Sequence, residues 1–102
     1  MKEHASLVPR LPDMSGLTDA GLVALARDGD DAACGVLIRR HNQRLFRVAR
    51  AILPDDAAAE DAVQEAYLKA FSSLAAFRGD AAFSTWLIRI TMNEAYQGLR
   101  KT

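Results

Sequence analysis

A chain of 102 residues and 11.1 kDa has room for one domain, and with half its residues hydrophobic it can bury a core. Lys plus Arg numbers 13 and Asp plus Glu numbers 13, a formal net charge of zero. That balance argues against a domain that grips nucleic acid by bulk electrostatics alone, and no apolar run approaches the roughly 18 residues of a membrane span.

Residues 1–17 contain Pro9, Pro12 and Gly16 among scattered hydrophobes without a period, and lack the apolar stretch of a signal peptide. They read as a flexible tail, partly docked through Leu7, Val8 and Leu11, and a cytoplasmic location is expected. The first helix begins at Thr18, a good N-cap, with Asp19 placed for the positive helix end. Leu22, Leu25 and Ala26 give it one apolar stripe, and Gly29 stops it. Asp30 or Asp31 caps the second helix, which runs to Leu53 before Pro54 with Leu37, Ile38, His41, Leu45, Val48, Ala49 and Ile52 along one face. Asp55 or Asp56 caps the third, where Val63, Ala66, Tyr67, Ala70, Phe71 and Leu74 repeat the spacing. Ala76–Ala82 breaks the pattern at Arg78-Gly79-Asp80 and reads as a loop. The fourth helix spans Phe83 to Arg100, apolar on nearly all sides through Trp86, Leu87, Ile88 and Ile90. The fold class is therefore all-α, a compact bundle of three to four helices.

Charge alternates in blocks along these elements: −3 over Asp19–Gly35, +5 over Val36–Arg50, −5 over Pro54–Ala66 and +3 over Tyr67–Thr102. Such blocks either pair with each other across the bundle or present separate charged faces. On the third helix Asp61, Gln64, Glu65 and Leu68, flanked by Glu60, share the face opposite the core stripe. Acids with an amide are usually a solvated face, but an exposed leucine rimmed by carboxylates suits a contact with a basic partner helix. On the second helix Arg40, Arg44 and Arg47 share one side, and Arg39 and Arg50 another, for phosphate, a protein partner, or the neighbouring acids. Phe77 to Trp86 packs three aromatics, a glycine turn and small polar donors into ten residues. The aromatics either enclose a planar ligand such as an unstacked base or plug the core around a tight turn. Asn93, in mid-helix, is either exposed or a core hydrogen-bonder.

Catalysis finds little support. His41 sits on a core stripe without a nucleophile beside it, and Asp30 and Asp31 oppose activation of the lone Cys34 by the helix dipole. One cysteine excludes an internal disulfide, and Glu60, Asp61 and Glu65 lack histidines at metal spacing. No enzyme activity, cofactor or metal is expected.

The run Ala59-Glu60-Asp61-Ala62-Val63-Gln64-Glu65-Ala66-Tyr67-Leu68-Lys69-Ala70-Phe71, then Phe77-Arg78-Gly79, then Phe83-Ser84-Thr85-Trp86-Leu87-Ile88-Arg89-Ile90 and Asn93, resembles the region 2 domain of bacterial extracytoplasmic-function sigma factors. The likeness extends back through Asp19, Leu22, Gly29-Asp30, Ala33 and Leu37, so it covers residues 18 to 100 in order. The resemblance implies a transcription initiation module at 18–102 that binds the β′ clamp helices of RNA polymerase and reads the promoter −10 element. It assigns the polymerase contact to Glu60, Asp61, Gln64, Glu65 and Leu68. It assigns capture of a flipped non-template base to the loop and the following helix: Phe77, Arg78, Gly79, Asp80, Ala81, Phe83, Ser84, Thr85, Trp86 and Asn93. Arg89, Arg100 and Lys101 fall to phosphate or duplex-edge contacts. An anti-sigma factor covering the polymerase-binding surface is a further implied partner.

Two departures qualify the resemblance. Housekeeping sigma factors carry a second tryptophan where Leu87 follows Trp86, so a weaker wedge at the bubble edge is expected. The C-terminal domain that reads the −35 element in the family has no counterpart before Thr102, so an isolated or truncated domain is expected. An adaptor of the same fold without promoter reading is the alternative. A helix-turn-helix repressor fits poorly, because the fourth helix is too apolar for a recognition helix.

Overall fold

The computed structural model describes residues 14–101. Among them are four α-helices and one short 3-10 turn, with no strand: α1 (Asp19–Arg27), α2 (Asp31–Ile52), α3 (Asp56–Ser72), the turn Leu74–Ala76, and α4 (Phe83–Arg100). The all-α fold class expected from periodicity is the observed one. None of these helices is long and apolar enough to cross a membrane.

Local chemistry sets three of the four helix starts. Thr18 accepts from the Gly21 amide, Asp30 from Ala33 and Asp55 from Ala58, each side chain satisfying a donor that the first turn leaves unpaired. Gly29, at φ +93°, takes the left-handed conformation that lets the chain leave α1 and re-enter a helix two residues later. α1 ends at Arg27, two residues before that glycine.

α3 lies against both α2 and α4. Its buried face is Ala59, Ala62, Val63, Ala66, Tyr67 and Ala70, and four alanines there let the neighbouring helices come close. Tyr67, near the end of α3, hydrogen-bonds the Ile38 carbonyl in the first half of α2, so those two helices run antiparallel. Phe83 at the start of α4 faces His41, and Gly98 near its end sits against Leu53, so α4 runs in the same sense as α2. Leu22, Leu37, Leu45 and Leu87 are fully buried between them, each contributing roughly 1.5–3 kcal/mol. The equally buried Thr91 satisfies its hydroxyl by donating to the Leu87 carbonyl at 2.9 Å.

Several boundaries differ from the sequence reading. Leu74 belongs to the 3-10 turn, because Ser73 already caps α3. Leu7, Val8 and Leu11, read as docking points of the tail, lie outside the described residues. Of residues 14–17, read as part of that tail, Met14 is buried in the core, and Arg40 donates to the Met14 and Ser15 carbonyls. The folded body therefore begins before the Thr18 cap. α4 is less apolar than it read, since Thr85, Arg89, Met92, Asn93, Tyr96 and Arg100 are exposed on its outer side.

Candidate functional site

The acidic ridge comes from α3. Glu60, Asp61, Gln64, Glu65 and Leu68 are all exposed, and Leu68 is 67% exposed on the crest. Asp55 fixes the start of this helix and its alanine face fixes its roll, so the ridge must point outward. It stands between two grooves. Glu60 and Gln64 border one of about 290 Å³ with Ile38, Asn42 and Phe46 of α2. Asp61 and Glu65 border another of about 330 Å³ with Gln97 and Gly98 of α4 and Lys101 just after it. No ion pair among the described residues engages the three acids of the ridge. The carboxylates of this face therefore stay available to a cationic partner.

The loop is built inward. Phe83 is 4% exposed, and its ring meets His41 at 5.7 Å, Phe77 at 5.6 Å and Trp86 at 5.8 Å between centroids. Phe77 and Trp86 also face each other at 5.0 Å. The three aromatics are thus plugs around the turn, and they offer a ligand edges of Phe77 and Trp86 but nothing of Phe83. Phe83, which the resemblance grouped with the DNA-facing residues, has its surface packed among these rings. Gly79, at φ +80°, makes the turn between Arg78 and Asp80, both exposed. Ala81 and Ser84 are half-buried, and Thr85 is exposed at the first turn of α4.

Arg27, unremarked in the sequence, ties this loop down. Its Nε donates to the Leu74 carbonyl at 3.1 Å, its Nη2 donates to the Phe77 carbonyl, and its guanidinium stands 5.9 Å from the Phe77 ring centroid. Only its position as the last residue of α1 hinted at it, because a basic residue there suits the negative helix end. Arg27 and Arg78 border a groove with Phe71, Ala75 and Phe77.

A fourth groove, of about 450 Å³, runs between α3 and α4. It gathers Asn93 and Arg100 from the sequence reading with Lys69, Ser73, Tyr96 and Gln97, which that reading left aside. Tyr96 could have been found, since Arg89, Asn93, Tyr96 and Arg100 follow at steps of four, three and four on one helical face. Lys101 is not in this groove; it borders the acidic one beside Asp61 and Glu65. Within this fourth groove Lys69 Nζ meets Glu94 Oε2 at 2.6 Å, with Glu94 9% exposed. That hydrogen bond raises the Lys69 ammonium above its ordinary range.

The arginines of α2 divide. Arg40 pairs with Asp19, Arg50 pairs with Asp56, and Asp19 also meets His41 Nε2 at 2.9 Å. Arg39, Arg44 and Arg47 are exposed and form no ion pair with a described residue. Burial, with Asp31 and Asp30 adding to it, pushes the Cys34 thiol up, away from the thiolate form that a nucleophile needs. No group of three His, Cys, Asp or Glu side chains among the described residues is placed to hold a metal.

Comparison with known proteins matches residues 37–102 to the Sigma-70 region 2 family. The chain is 40% identical over 79 residues to the ECF RNA polymerase sigma-E factor of Escherichia coli K12, covering 78% of this chain and 41% of that protein. It is 42% identical over 84 residues to the ECF RNA polymerase sigma factor SigM of Mycobacterium tuberculosis, covering 82% and 43%. The chain thus spans about two fifths of the length of these curated relatives. Among solved structures it is similar to an engineered region 2 of sigmaE determined by NMR in complex with GTAAAA, at TM-score 0.78 and 34% identity, covering 85% of this chain and 90% of that one.

Proposed function

The chain belongs to the Sigma-70 region 2 family of extracytoplasmic-function sigma factors, and from that premise we propose that it docks on the RNA polymerase β′ clamp helices and reads the promoter −10 element. It is a binding module of transcription initiation, working in the cytoplasm alongside the polymerase, and its own side chains perform no bond chemistry.

The observation that carries the reading is the relative solved with a GTAAAA strand on this same helical frame. In this chain the acidic ridge of α3 supplies the polymerase contact. Leu68 is its apolar centre, and Glu60, Asp61, Gln64 and Glu65 are the rim that pairs with cationic side chains. An anti-sigma factor that masks this ridge would silence the chain by competition for the same residues.

The −10 strand lies across the loop and the outer side of α4. A non-template base leaves the stack and enters the turn, where Arg78, Asp80 and Asn93 hydrogen-bond its edges, and Phe77 and Trp86 wall it. Ala81, Ser84 and Thr85 line its approach, with Arg89 and Arg100 on the phosphates. Phe83 acts from beneath by holding Phe77 and Trp86 in place, and Lys101 neighbours the polymerase ridge instead. Unstacking a base costs a few kcal/mol, which the assembled polymerase complex helps to offset. That dependence suits a domain with zero net charge.

The test is binding of the purified chain to a β′ clamp-helix fragment. Asp61→Ala and Glu65→Ala should each weaken binding several-fold while helicity is unchanged. Asn93→Ala should leave that binding intact and impair capture of a −10 single strand in the polymerase-bound state. Normal clamp binding by both acid variants would remove the polymerase role. Equal binding of scrambled and −10 strands would leave an adaptor of the same fold.

A further inference from the structure

The basic face of α2 has no part in the surfaces above. Between Val36 and Arg50 the sequence places five arginines with no lysine and no acid. Two of them are consumed inside the molecule: Arg40 by Asp19 and the Met14 and Ser15 carbonyls, and Arg50 by Asp56 and the Leu53 carbonyl. Arg39, Arg44 and Arg47 remain exposed, without an ion pair or hydrogen bond to any described residue. The helical repeat puts Arg39, Gln43 and Arg47 in one row and Arg40, Arg44 and Arg47 in the next, so Arg47 joins the two.

What would cover such a face follows from what it lacks. The large exposed apolar side chains among the described residues are Leu17, Leu68, Met92, Tyr96 and Leu99, and none lies on α2. A protein partner needs an apolar or aromatic anchor at the centre of its contact, as Leu68 provides on α3. A phosphate backbone needs only charge and donors, and the guanidinium is the side chain that engages phosphate with two parallel hydrogen bonds. The dimensions agree. Arg39 and Arg47 stand about 12 Å apart along the helix axis. Phosphates of one DNA strand advance about 3.4 Å each, so the row spans three to four of them.

We propose that the Arg39–Arg44–Arg47 face of α2 is a second nucleic-acid surface, a sequence-independent contact for the phosphate backbone of duplex DNA. It is separate from −10 reading, because none of the three arginines lines the grooves bordered by the loop, α3 and α4. It would hold duplex flanking the opened region while the loop and α4 engage the single strand.

The experiment is an NMR titration of the whole chain with a duplex of scrambled sequence at low salt, repeated across a salt series. Amides of α2 around Arg39, Gln43 and Arg47 should shift, and affinity should fall steeply with salt. The triple variant R39Q/R44Q/R47Q should weaken duplex binding at least tenfold. It should also flatten the log–log salt slope by about 2 to 3, since each lost phosphate contact removes about 0.9. The three residues are exposed and unpaired, so the variant keeps the fold. It should also keep the shifts that a −10 single strand induces in α4. Duplex shifts confined to α4 and the loop, or an unchanged salt slope in the variant, would overturn the proposal. So would polyglutamate perturbing α2 as strongly as the duplex does, which would point to an acidic protein partner. Failure of the −10 reading would appear separately, as equal binding of scrambled and −10 single strands with the α2 response intact.

Discussion

Tyr67 shows how one side chain joins packing to chemistry. It is 9% exposed, its ring stacks on Phe71 at 6.1 Å, and its one hydroxyl proton is shared between the Ile38 carbonyl at 3.2 Å and Asn42 Oδ1 at 3.3 Å. Burial pushes its phenol up to about 12, against about 10 in an unfolded chain. The folded state therefore holds this proton where the unfolded state has begun to release it. The stabilisation is complete below about pH 10 and is lost as pH rises through about 12, because only the unfolded chain gains from ionising in between. Tyr67→Phe should cost about 1 kcal/mol at pH 7 through the lost hydrogen bonds. It should then close that gap as pH rises, since phenylalanine has no proton to lose. Urea midpoints at pH 7, 9 and 11 for both chains measure this. Parallel curves from pH 9 to pH 11 would show that the hydroxyl does not carry the effect. The sequence put Tyr67 on the core stripe of the third helix, but its two acceptors lie 25 and 29 residues away and were not legible there.

What was legible at the level of the helices is what neighbours within four residues decide. The cap at Thr18, the glycine after α1 and the apolar stripes all act over that range and were readable, and the other two caps were narrowed to the adjacent pairs Asp30 or Asp31 and Asp55 or Asp56. The 3-10 turn Leu74–Ala76 was not, because the carbonyls of Leu74 and Phe77 are held by Arg27 from 47 and 50 residues away. α4 is the helix that opens without a side-chain cap: Ala82 stands at its N-cap with φ −59° and ψ 147° and offers its first turn no acceptor. That backbone already suits a capping residue. Ala82→Ser should place a hydroxyl against the Thr85 amide and stabilise the chain by about 0.5–1 kcal/mol. In a domain of this size that corresponds to a rise in Tm of roughly 2–8 °C. Thermal melts followed by circular dichroism would show it. An unchanged or lower Tm would mean that the loop, and not the open helix end, limits stability at this junction.

Across the whole molecule, zero net charge conceals chemically distinct faces: acids with Leu68 on α3, polar groups and cations along α4, arginines on α2. The outward faces of α2 and α3 could be read from the sequence, because a helix that spends one stripe on the core must show the other. Which charges cancel could not, since Arg40–Asp19 and Lys69–Glu94 are made between helices. The inward turn of Phe83 was one of two readings the aromatic spacing allowed, and the contact with His41 of α2 is what decides between them. If the faces act separately, substitutions on different faces must not feel each other. Leu68 crowns the α3 ridge, Asn93 lines the groove on the α4 flank, and both are exposed. Each change to alanine should move folding stability by no more than about 0.5 kcal/mol. Leu68→Ala should weaken clamp-helix binding about tenfold, as expected for an exposed apolar anchor removed from an interface centre. It should leave −10 strand capture by the preformed polymerase complex unchanged, and Asn93→Ala should do the reverse. In the double variant the two losses should add to within about 0.5 kcal/mol, the limit for sites with no shared partner. A coupling above about 1 kcal/mol would mean that clamp docking reshapes the α3–α4 groove, and the Lys69–Glu94 pair that bridges those helices would be the first place to look.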